Sequence, residues 1–451
     1  MLSLITAICC GCGMIQELPQ DSGADSAAAQ TSVSSTSASS ATPATSATSA
    51  TSATSATSAS TSASVTSLTS ATSAVTSVSG SAPAATTAYQ PSGEDVSVSF
   101  LAVGDNLVQT KVYEQAKKWA KDGTYDFTKT YENVKPIVQA ADVAIINQET
   151  LICGGNYPIS GSGYNFNSPV QLGDAMVDVG FDVFTIANNH VLDKRIDGLE
   201  SSLNYWDGMM QKYPILTVGV YRNAADQNRI RVQDVKGLKV AYLAYTENLN
   251  GYKIPETSQI KVGMTTDEAL IERQIKEANQ IADAVIVSAH WGVEDKQYVS
   301  SGVKALARKM IDWGADVILG SHTHTAETME FLTRADGTRG FVFYSLGNFI
   351  SAQTDNFNVV GEMGGFNLVR HAATGETTVE NVTCRPVITH YDDSKWSNLR
   401  LYPYNMYTPA LAKSHGLPYA HVYPETAKAF GWDVINKIIE SYIPAEFRKL
   451  D

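Results

Sequence analysis

Five short polar motifs each follow an apolar, strand-like run, and together they hold four of the chain's eight histidines. Loops after the carboxyl ends of strands are where α/β folds build their sites. Side chains of Asp, Glu, Asn and His supply the oxygen and nitrogen ligands of a hydrolytic metal centre. The sequence therefore predicts a metal-dependent enzyme, or a protein built on the scaffold of one. The five motifs are Gly104-Asp105, Asn147-Gln148-Glu149, Asn188-Asn189-His190, His290-Trp291-Gly292-Val293-Glu294 and Gly320-Ser321-His322-Thr323-His324.

The most specific of these motifs holds His322 and His324, two positions apart. On an extended strand end the two imidazoles would share a face, so both could reach one ion or two adjacent ions. Gly320 would let the backbone approach closely. The alternative is a pair of surface or core histidines in a loop.

A further imidazole, His290, is followed four residues later by the carboxylate of Glu294. We consider Glu294 as a ligand, as a partner that orients a histidine, or as a base, against the alternative of a carboxylate at a helix start. Trp291 between them would form a wall of the pocket or belong to the core.

The third element places Asn189 and His190 three to four residues before Asp193. The asparagine oxygen is a reasonable metal ligand, and His190 with Asp193 could form the pair that orients a general acid or base. Alternatively Asn189 lies in a tight turn and Asp193 caps a helix. Asp105 and Glu149 would supply anionic oxygens that bind or bridge metals.

The elements that must position these motifs alternate between strands and helices. Apolar spacing predicts strands at 96–103, 143–146, 183–187, 239–245, 284–289 and 317–319, and helices at 109–121, 131–141, 170–179, 198–212, 267–282 and 303–313. Residues 328–332 and 340–344 form a hairpin with Asp336-Gly337 as its turn. This order predicts stacked sheets flanked by helices, with residues 389–451 as a peripheral extension that ends in a helix at 426–442.

The N-terminal fifth of the chain has a different composition. Residues 1–19 contain a short apolar run that ends in cysteine next to glycine, which is typical of a lipoprotein signal, and Cys12 is favoured over Cys9 and Cys10 for lipidation. Residues 20–92 are almost entirely Ser, Thr and Ala, with too few larger apolar side chains to offset conformational entropy, and we predict a disordered stalk. We therefore expect an extracytoplasmic, membrane-anchored bacterial lipoprotein.

The remaining residues carry most of the acidic excess. The formal net charge is −13, and no Lys or Arg precedes Lys111. Bulk charge of this sign argues against binding nucleic acid, whereas it agrees with a cation site. Cys153 and Cys384 are the only cysteines after the N-terminal segment, and we expect them to be unpaired.

In this order, the motifs resemble the bacterial capsule synthesis protein CapA family, also called the poly-γ-glutamate synthesis family. The resemblance covers roughly residues 96–368 and includes Asn188-Asn189-His190-x-x-Asp193, His290-Trp291-Gly292-x-Glu294 and Ser345-Leu346-Gly347-Asn348-Phe349. It implies a metallophosphoesterase-like, four-layer α/β/β/α sandwich over residues 93–388, with residues 389–451 packed on it.

The resemblance also implies roles for individual residues. Ligands of a divalent metal centre, with one or two ions of Mn, Zn or Fe, would be Asp105, Glu149, Asn189, His290, His322 and His324. The catalytic imidazole would be His190, with Asp193 and Glu294 assisting. Substrate contacts are predicted at Asn188, Trp291, Ser345 and Asn348.

The family implies an activity in capsule or poly-γ-glutamate synthesis, by hydrolysis or transfer at amide or ester bonds of an anionic envelope polymer or its precursor, with a membrane synthase complex as a possible partner. A phosphoesterase and a non-catalytic scaffold are the alternatives. Phosphoesterases of this type open with Asp-x-His, whereas Asp105 here is followed by Asn106-Leu107. The missing histidine removes one metal ligand and weakens the phosphoesterase reading.

Overall fold

The computed structural model of the protein describes residues 93–155, 157–163, 165–417 and 430–451. These residues all fall in one structural unit, Ala84–Asp451. The predicted signal segment, Cys12 and the predicted stalk lie outside the described residues, and they remain predictions.

Helices and strands alternate through most of the described chain. The helices are α1 (Thr110–Ala120), α2 (Thr128–Tyr131), α3 (Lys135–Val138), α4 (Gln171–Val179), α5 (Arg195–Lys212), α6 (Ala224–Asn228), α7 (Glu268–Ala278), α8 (Ser301–Trp313), α9 (Pro409–Ser414) and α10 (Trp432–Tyr442), with a 3-10 turn at Tyr404–Met406. The strands are β1 (Val96–Asn106), β2 (Val143–Asn147), β3 (Ser160–Gly161), β4 (Phe166–Asn167), β5 (Val183–Thr185), β6 (Leu216–Val218), β7 (Val220–Tyr221), β8 (Arg231–Val235), β9 (Leu238–Thr246), β10 (Lys261–Val262), β11 (Ala284–His290), β12 (Val317–Ser321), β13 (Met329–Thr333), β14 (Arg339–Phe343), β15 (Asn348–Ile350), β16 (Val360–Arg370), β17 (Thr377–His390) and β18 (Arg400–Pro403).

An eight-stranded sheet has the order β18-β17-β16-β1-β2-β5-β6, with β15 beside β1. Strands β1, β2, β5 and β6 run parallel, and β16, β17 and β18 extend the sheet beyond β1, each antiparallel to its neighbour. All five residues of β2 are buried, as expected for a parallel strand that is covered on both faces. The parallel strands therefore bring their carboxyl ends to one edge.

A six-stranded sheet has the order β13-β14-β12-β11-β9-β8. Its four central strands are parallel, and β8 and β13 are antiparallel edge strands. Residues of β12 are likewise all buried. All six strands predicted from apolar spacing are confirmed, as is the hairpin of β13 and β14.

The two sheets pack face to face between helices. A Cβ atom added at Gly364 of β16 would lie 2.8 Å from the ring of Phe343 in β14, so the sheets are in close contact there. The outer face of the six-stranded sheet packs on α7 and α8 through an apolar cluster that includes Val285, Ile275 and Met310. On the other side, α5 packs on β5, where the rings of Phe184 and Trp206 lie 4.7 Å apart. The predicted α/β/β/α sandwich is thus the fold of the described residues.

Two predicted elements differ from the structure. The single helix predicted at 131–141 consists instead of the short helices α2 and α3, because Pro136 lacks an N–H group and begins a new turn in α3. Part of the predicted peripheral extension is in the sheet, since β18 pairs with β17 from Val387 to His390. Only α10 of the predicted terminal helix falls in the described residues.

Cys153 and Cys384 are both buried and free. Among the described residues, no helix combines the length and apolar character required to cross a bilayer.

Candidate metal centre

The ends of strands from both sheets converge on one buried polar site. Asp105 lies near the end of β1, and Glu149 follows β2 by two residues. The other sheet contributes His290, the last residue of β11, and His322 and His324, which follow β12. Sequence reasoning expected these side chains to meet, and the structure brings all five together.

Three side chains form the tightest group at this site. One ligand atom each from Asp105, Glu149 and His324 lies within 4.8 Å of the others, and all three residues are buried. The group holds two carboxylates and one imidazole, which is a donor set suited to a divalent cation.

The carboxylate of Glu149 is the least satisfied group in the site. It is 1% exposed, and neither of its oxygens has a hydrogen-bond partner. Burial, and then the charge of Asp105, raise the pKa of Glu149 well above its ordinary value. Buried carboxylates are normally hydrogen-bonded or bound to metals. The residues present therefore fit a bound cation, which would supply the missing partner of Glu149.

His324 is held between acceptors. Its Nδ1 lies 3.1 Å from Asp105 Oδ2 and 3.1 Å from Asn348 Oδ1. Burial alone would lower the pKa of His324, but the charges of Glu149 and Asp105 outweigh burial and raise it to about 10. Protonation of His324 places a positive charge between the two carboxylates, as a bound cation would.

A second set of donor atoms converges beside the first. Nε2 of His290 lies 3.0 Å from Asn189 Oδ1, 3.1 Å from His322 Nδ1 and 3.7 Å from Glu149 Oε1. Burial and the neighbouring His322 lower the pKa of His290 well below its ordinary value. Burial and the neighbouring His324 lower the pKa of His322 to about 4. Both rings are therefore neutral at pH 7, the form in which imidazole binds metals.

His190 lies in the loop after β5 and faces the group of Asp105, Glu149 and His324, here called the metal group. Its Nδ1 lies 2.9 Å from Asp193 Oδ2, which also accepts a hydrogen bond of 2.7 Å from the backbone N–H of Phe166. Because a carboxylate only accepts, Nδ1 donates to Asp193, and in the neutral imidazole Nε2 then carries the lone pair. That nitrogen lies 3.9 Å from Glu149 Oε1, so the lone pair is on the side of the metal group.

The backbone at the two adjacent histidines corrects one premise of the sequence analysis. His322 and His324 are not on an extended strand end, because their φ angles are 96° and 60°. The left-handed backbone is costly for residues other than glycine and is concentrated at functional sites. It directs His322 to His290, with ring centroids 4.6 Å apart, and His324 to Asp105. His324 thus belongs to the first group of donor atoms, and His322 belongs to the second group, with His290. The two imidazoles do not share a face.

Glu294 lies at the outer edge of the site. Its side chain is 41% exposed, and Oε1 lies 3.9 Å from His322 Nδ1. The same oxygen accepts a hydrogen bond of 3.2 Å from Asn189 Nδ2. This position suits a group that orients Asn189 and His322 from the solvent side.

The four predicted substrate contacts have other partners in the structure. Asn188 binds backbone atoms of Gln148 and His190. Ser345 accepts hydrogen bonds from the Thr323 hydroxyl and the Gly347 N–H, so it shapes a turn.

Trp291 and Asn348 also point to neighbours within the protein. Trp291 is 1% exposed, lies in the apolar cluster under α7 and α8, and donates its indole N–H to the carbonyl of Tyr344. It is thus a core residue and does not form a wall of the site. Asn348 forms hydrogen bonds with four groups, and one of them is Nδ1 of His324. It therefore lies behind His324, a candidate ligand.

Three residues that the sequence analysis did not select complete the site. Asn147 donates to Asp105 Oδ1 at 2.7 Å, and its amide nitrogen lies 3.2 Å from His290 Nδ1. Ser321 Oγ lies 2.9 Å from the same ring nitrogen. Asn250 Oδ1 accepts from Asn189, and its Nδ2 lies 3.5 Å from His190 Nδ1. The spacing of Asn147 two residues before Glu149 was a usable signal, whereas Asn250 lies in a loop without a pattern.

Leu107 occupies the position where the phosphoesterase pattern has histidine. It is 2% exposed and apolar, so it supplies no ligand.

A comparison with known proteins finds sequence relatives over much of the chain. A family model described as "Bacterial capsule synthesis protein PGA_cap" matches residues 99–353. The "PGA biosynthesis protein CapA" of Bacillus subtilis is 29% identical over 273 residues, which cover 60% of this chain and 67% of that protein. The "Capsule biosynthesis protein CapA" of Bacillus anthracis is 27% identical over 267 residues, covering 58% and 61%. The chain thus spans about two thirds, or less, of the length of these relatives.

Among solved structures, the NAD nucleotidase of Haemophilus influenzae aligns with a TM-score of 0.41 and 11% identity, over 78% of this chain and 60% of that one. This likeness is partial, and membership of a family rests on the sequence matches.

Proposed function

The chain belongs to the bacterial capsule synthesis protein family, and from this membership we propose that it acts on an anionic polymer of the cell envelope, or on its precursor. The proposed reaction is metal-dependent hydrolysis or transfer at an amide or ester bond of a poly-γ-glutamate-like chain. The observation that carries the proposal is the buried carboxylate of Glu149, which has no hydrogen-bond partner and lies beside Asp105 and His324.

The cation would be held by Asp105, Glu149 and His324, with Asn189, His290 and His322 adjacent. When bound, a divalent cation of this kind polarises a substrate carbonyl or lowers the pKa of a water molecule. The burial of the ligand positions excludes bulk water, which strengthens every charge interaction in the site.

His190 would move the proton. Its Nε2 lone pair accepts a proton from the attacking water or hydroxyl, and Nδ1–H keeps its hydrogen bond to Asp193. The carboxylate of Asp193 stabilises the imidazolium that results. The ring then returns the proton to the leaving amine or alcohol, so that one residue serves both halves of the reaction.

We extend the proposal to location. Lipidation at Cys12 would anchor the protein outside the cytoplasmic membrane, with residues 20–92 as a spacer. A Cys12→Ser protein should then leave the membrane fraction of the cell. Retention of that variant in the membrane fraction would contradict the lipid anchor, without bearing on the site.

The test of the site is elemental analysis of the purified protein beside a His322→Ala/His324→Ala variant. We expect one or two equivalents of a transition metal in the wild type and less in the variant, with unchanged circular dichroism. His371→Ala is the matched control, because His371 binds Asp95 and Thr378, away from the site. Unchanged metal content in the double variant would refute the assignment.

The same preparations distinguish the alternatives. A metal-loaded protein that cleaves γ-glutamyl oligomers supports the proposal, whereas turnover of an aryl phosphate alone would favour a phosphoesterase. A protein that holds no metal and cannot be reconstituted would favour a scaffold for a synthase complex.

A further inference from the structure

Two adjacent cations follow the His190 loop without an acidic partner. They are Lys194 and Arg195, the residues directly after Asp193. Neither forms an ion pair with any carboxylate in the described part of the chain, although other arginines there, such as Arg222, do. What distinguishes these two cations is their position, directly after the loop that holds His190 and Asp193.

Arg195 is held in place by neutral groups. Its guanidinium carbon lies 4.0 Å from the ring centroid of Tyr252, and Nη1 is 3.4 Å from the Leu192 carbonyl. The residue is exposed, so the guanidinium keeps donors directed to solvent. Lys194 is engaged differently, since its ammonium donates to Ser160 Oγ at 2.7 Å and to Asn165 Oδ1.

Two features of the local backbone oppose arginine at this position. The φ angle of Arg195 is 60°, in the left-handed region that favours glycine. Arg195 is also the first residue of α5, where the helix dipole disfavours a positive charge. Both terms act against the fold, and local costs of this kind are concentrated at functional sites.

Tyr252, the ring on which Arg195 stacks, lies in one of the loops that build the site. Tyr252 lies two residues after Asn250, which contacts both Asn189 and His190. The loop after β5 and the loop after β9 therefore meet twice, once at His190 and Asn250 and once at Arg195 and Tyr252. A ligand bound at Arg195 would therefore lie on the same pair of loops as the proposed catalytic imidazole.

We propose that Arg195, stacked on Tyr252, is a carboxylate-binding subsite that holds a side-chain or terminal carboxylate of the polymer next to the bond that reacts. This inference rests on the proposed function and deepens it, because it names the group by which the substrate is selected. A guanidinium binds a carboxylate through two parallel hydrogen bonds, which fixes orientation as well as charge. A polymer with one carboxylate in each residue always presents one beside the reacting bond.

The charge of the rest of the protein supports a local subsite. A net charge of −13 repels a polyanion at long range, so binding requires cations placed at the site itself. The lysine beside Arg195 adds positive potential without competing for the same position, since its own donors are used by Ser160 and Asn165.

The experiment is fluorescence anisotropy of a labelled γ-glutamyl oligomer with the full chain, at fixed low salt. Four proteins are compared: wild type, Arg195→Gln, Arg195→Lys and Lys212→Gln. The control Lys212 lies at the opposite end of α5, about 26 Å away at 1.5 Å per residue, where it pairs with Asp174.

We expect Arg195→Gln to weaken binding at least tenfold, as for loss of a charge-assisted hydrogen bond. Arg195→Lys should retain part of the affinity, and Lys212→Gln all of it. Where the oligomer is turned over, KM should rise with kcat little changed, because the contact is made equally in the ground and transition states. Unchanged circular dichroism and metal content of Arg195→Gln exclude misfolding as the cause.

Three results would overturn the inference, and they are distinguishable. Equal binding by wild type and Arg195→Gln removes the subsite and leaves the proposed function intact. No binding by the wild type removes the proposed function and the subsite with it. Binding of a glycerol-phosphate polymer in preference to the glutamyl oligomer, with the same dependence on Arg195, replaces the carboxylate by a phosphodiester.

Discussion

Two groups of buried histidines lie among the residues that the structure describes, and they differ in how their polar atoms are satisfied. In the metal centre, Glu149 has no partner for either oxygen. In the C-terminal histidine cluster, formed by His390 and His415 with their neighbours, each ring nitrogen has one. His390 contacts Tyr407 Oη at 2.9 Å and Asp392 Oδ1 at 3.2 Å.

His415 in the C-terminal histidine cluster is satisfied in the same way. Its Nε2 lies 2.9 Å from the carbonyl of Thr389, and its Nδ1 accepts from the N–H of Leu417 at 2.9 Å. The comparison teaches that burial of histidine alone does not mark a site. A buried acid without a partner beside the histidine is the more informative feature, because its desolvation is offset only by a ligand.

Among the variants that test this contrast, Glu149→Gln should have the largest effect. The variant removes the only fully unpartnered carboxylate of the metal group, so we expect metal affinity to fall by more than about 100-fold. Competition with a chromophoric chelator measures the change. Glu362→Gln is the matched control, since Glu362 is another buried carboxylate but lies in β16, beside the thiol of Cys384. Equal metal loss in both variants would mean that Glu149 is not specific to the site.

In the C-terminal histidine cluster, we expect a substitution to affect stability and not metal binding. His415→Ala leaves the Thr389 carbonyl and the Leu417 N–H unpaired, which should lower the free energy of unfolding by about 2 kcal/mol. Metal content should not change. Urea denaturation and elemental analysis check the two parts, and a loss of metal in this variant would show that the two groups are coupled.

A smaller effect should separate a ligand from the residue that orients it. Asn348→Ala removes the oxygen 3.1 Å from His324 Nδ1, and we expect metal affinity to fall about tenfold. Ser345→Ala, in the adjacent turn, serves as the control, and the chelator competition applied to Glu149→Gln measures both. An effect of Asn348→Ala as large as that of Glu149→Gln would make Asn348 a direct ligand.

A further test uses pH on metal-free protein. Burial, and then the neighbouring His390, lower the pKa of His415 to about 3, from an ordinary 6.5. Below pH 6.5 the unfolded chain binds a proton at this ring that the folded chain refuses. Stability is therefore complete above pH 6.5 and falls towards pH 3, by up to about 1.4 kcal/mol for each pH unit.

Urea denaturation of wild type and His415→Gln between pH 7 and 4 measures this slope. The variant should show a shallower fall, because the ring that titrates is gone. Identical slopes would assign the acid sensitivity to other groups.

Much of this arrangement could be predicted from the sequence because the strands are buried on both faces. The apolar runs of β2, β11 and β12 end sharply at polar residues, and parallel strands bring such ends to one edge. The alternation of side chains along a strand also bears on the place of Trp291. Trp291 directly follows His290, so the two side chains point to opposite faces and only one can lie in the site.

The remainder depends on contacts across long separations in the chain. Asn250 meets His190 across 60 residues, from a loop with no periodic pattern. The left-handed backbone at His322 and His324 is likewise set by neighbours and not by local preference. Strand β18 was missed because its four residues are too short for a period to show.

The origin of the proposed metal ligands in both sheets has a consequence for the amount of protein in a cell. Asp105 and Glu149 come from one sheet and His324 from the loop after a strand of the other, so a cation bound by them fastens the sheets together. A ligand bound only by the folded state adds about 4 kcal/mol at a free concentration 1,000 times its Kd. Proteases cleave molecules that open, and fewer open when the cation is present. Abundance should then follow metal supply, and a starved cell would lose the protein by turnover before any surviving molecule changed its chemistry.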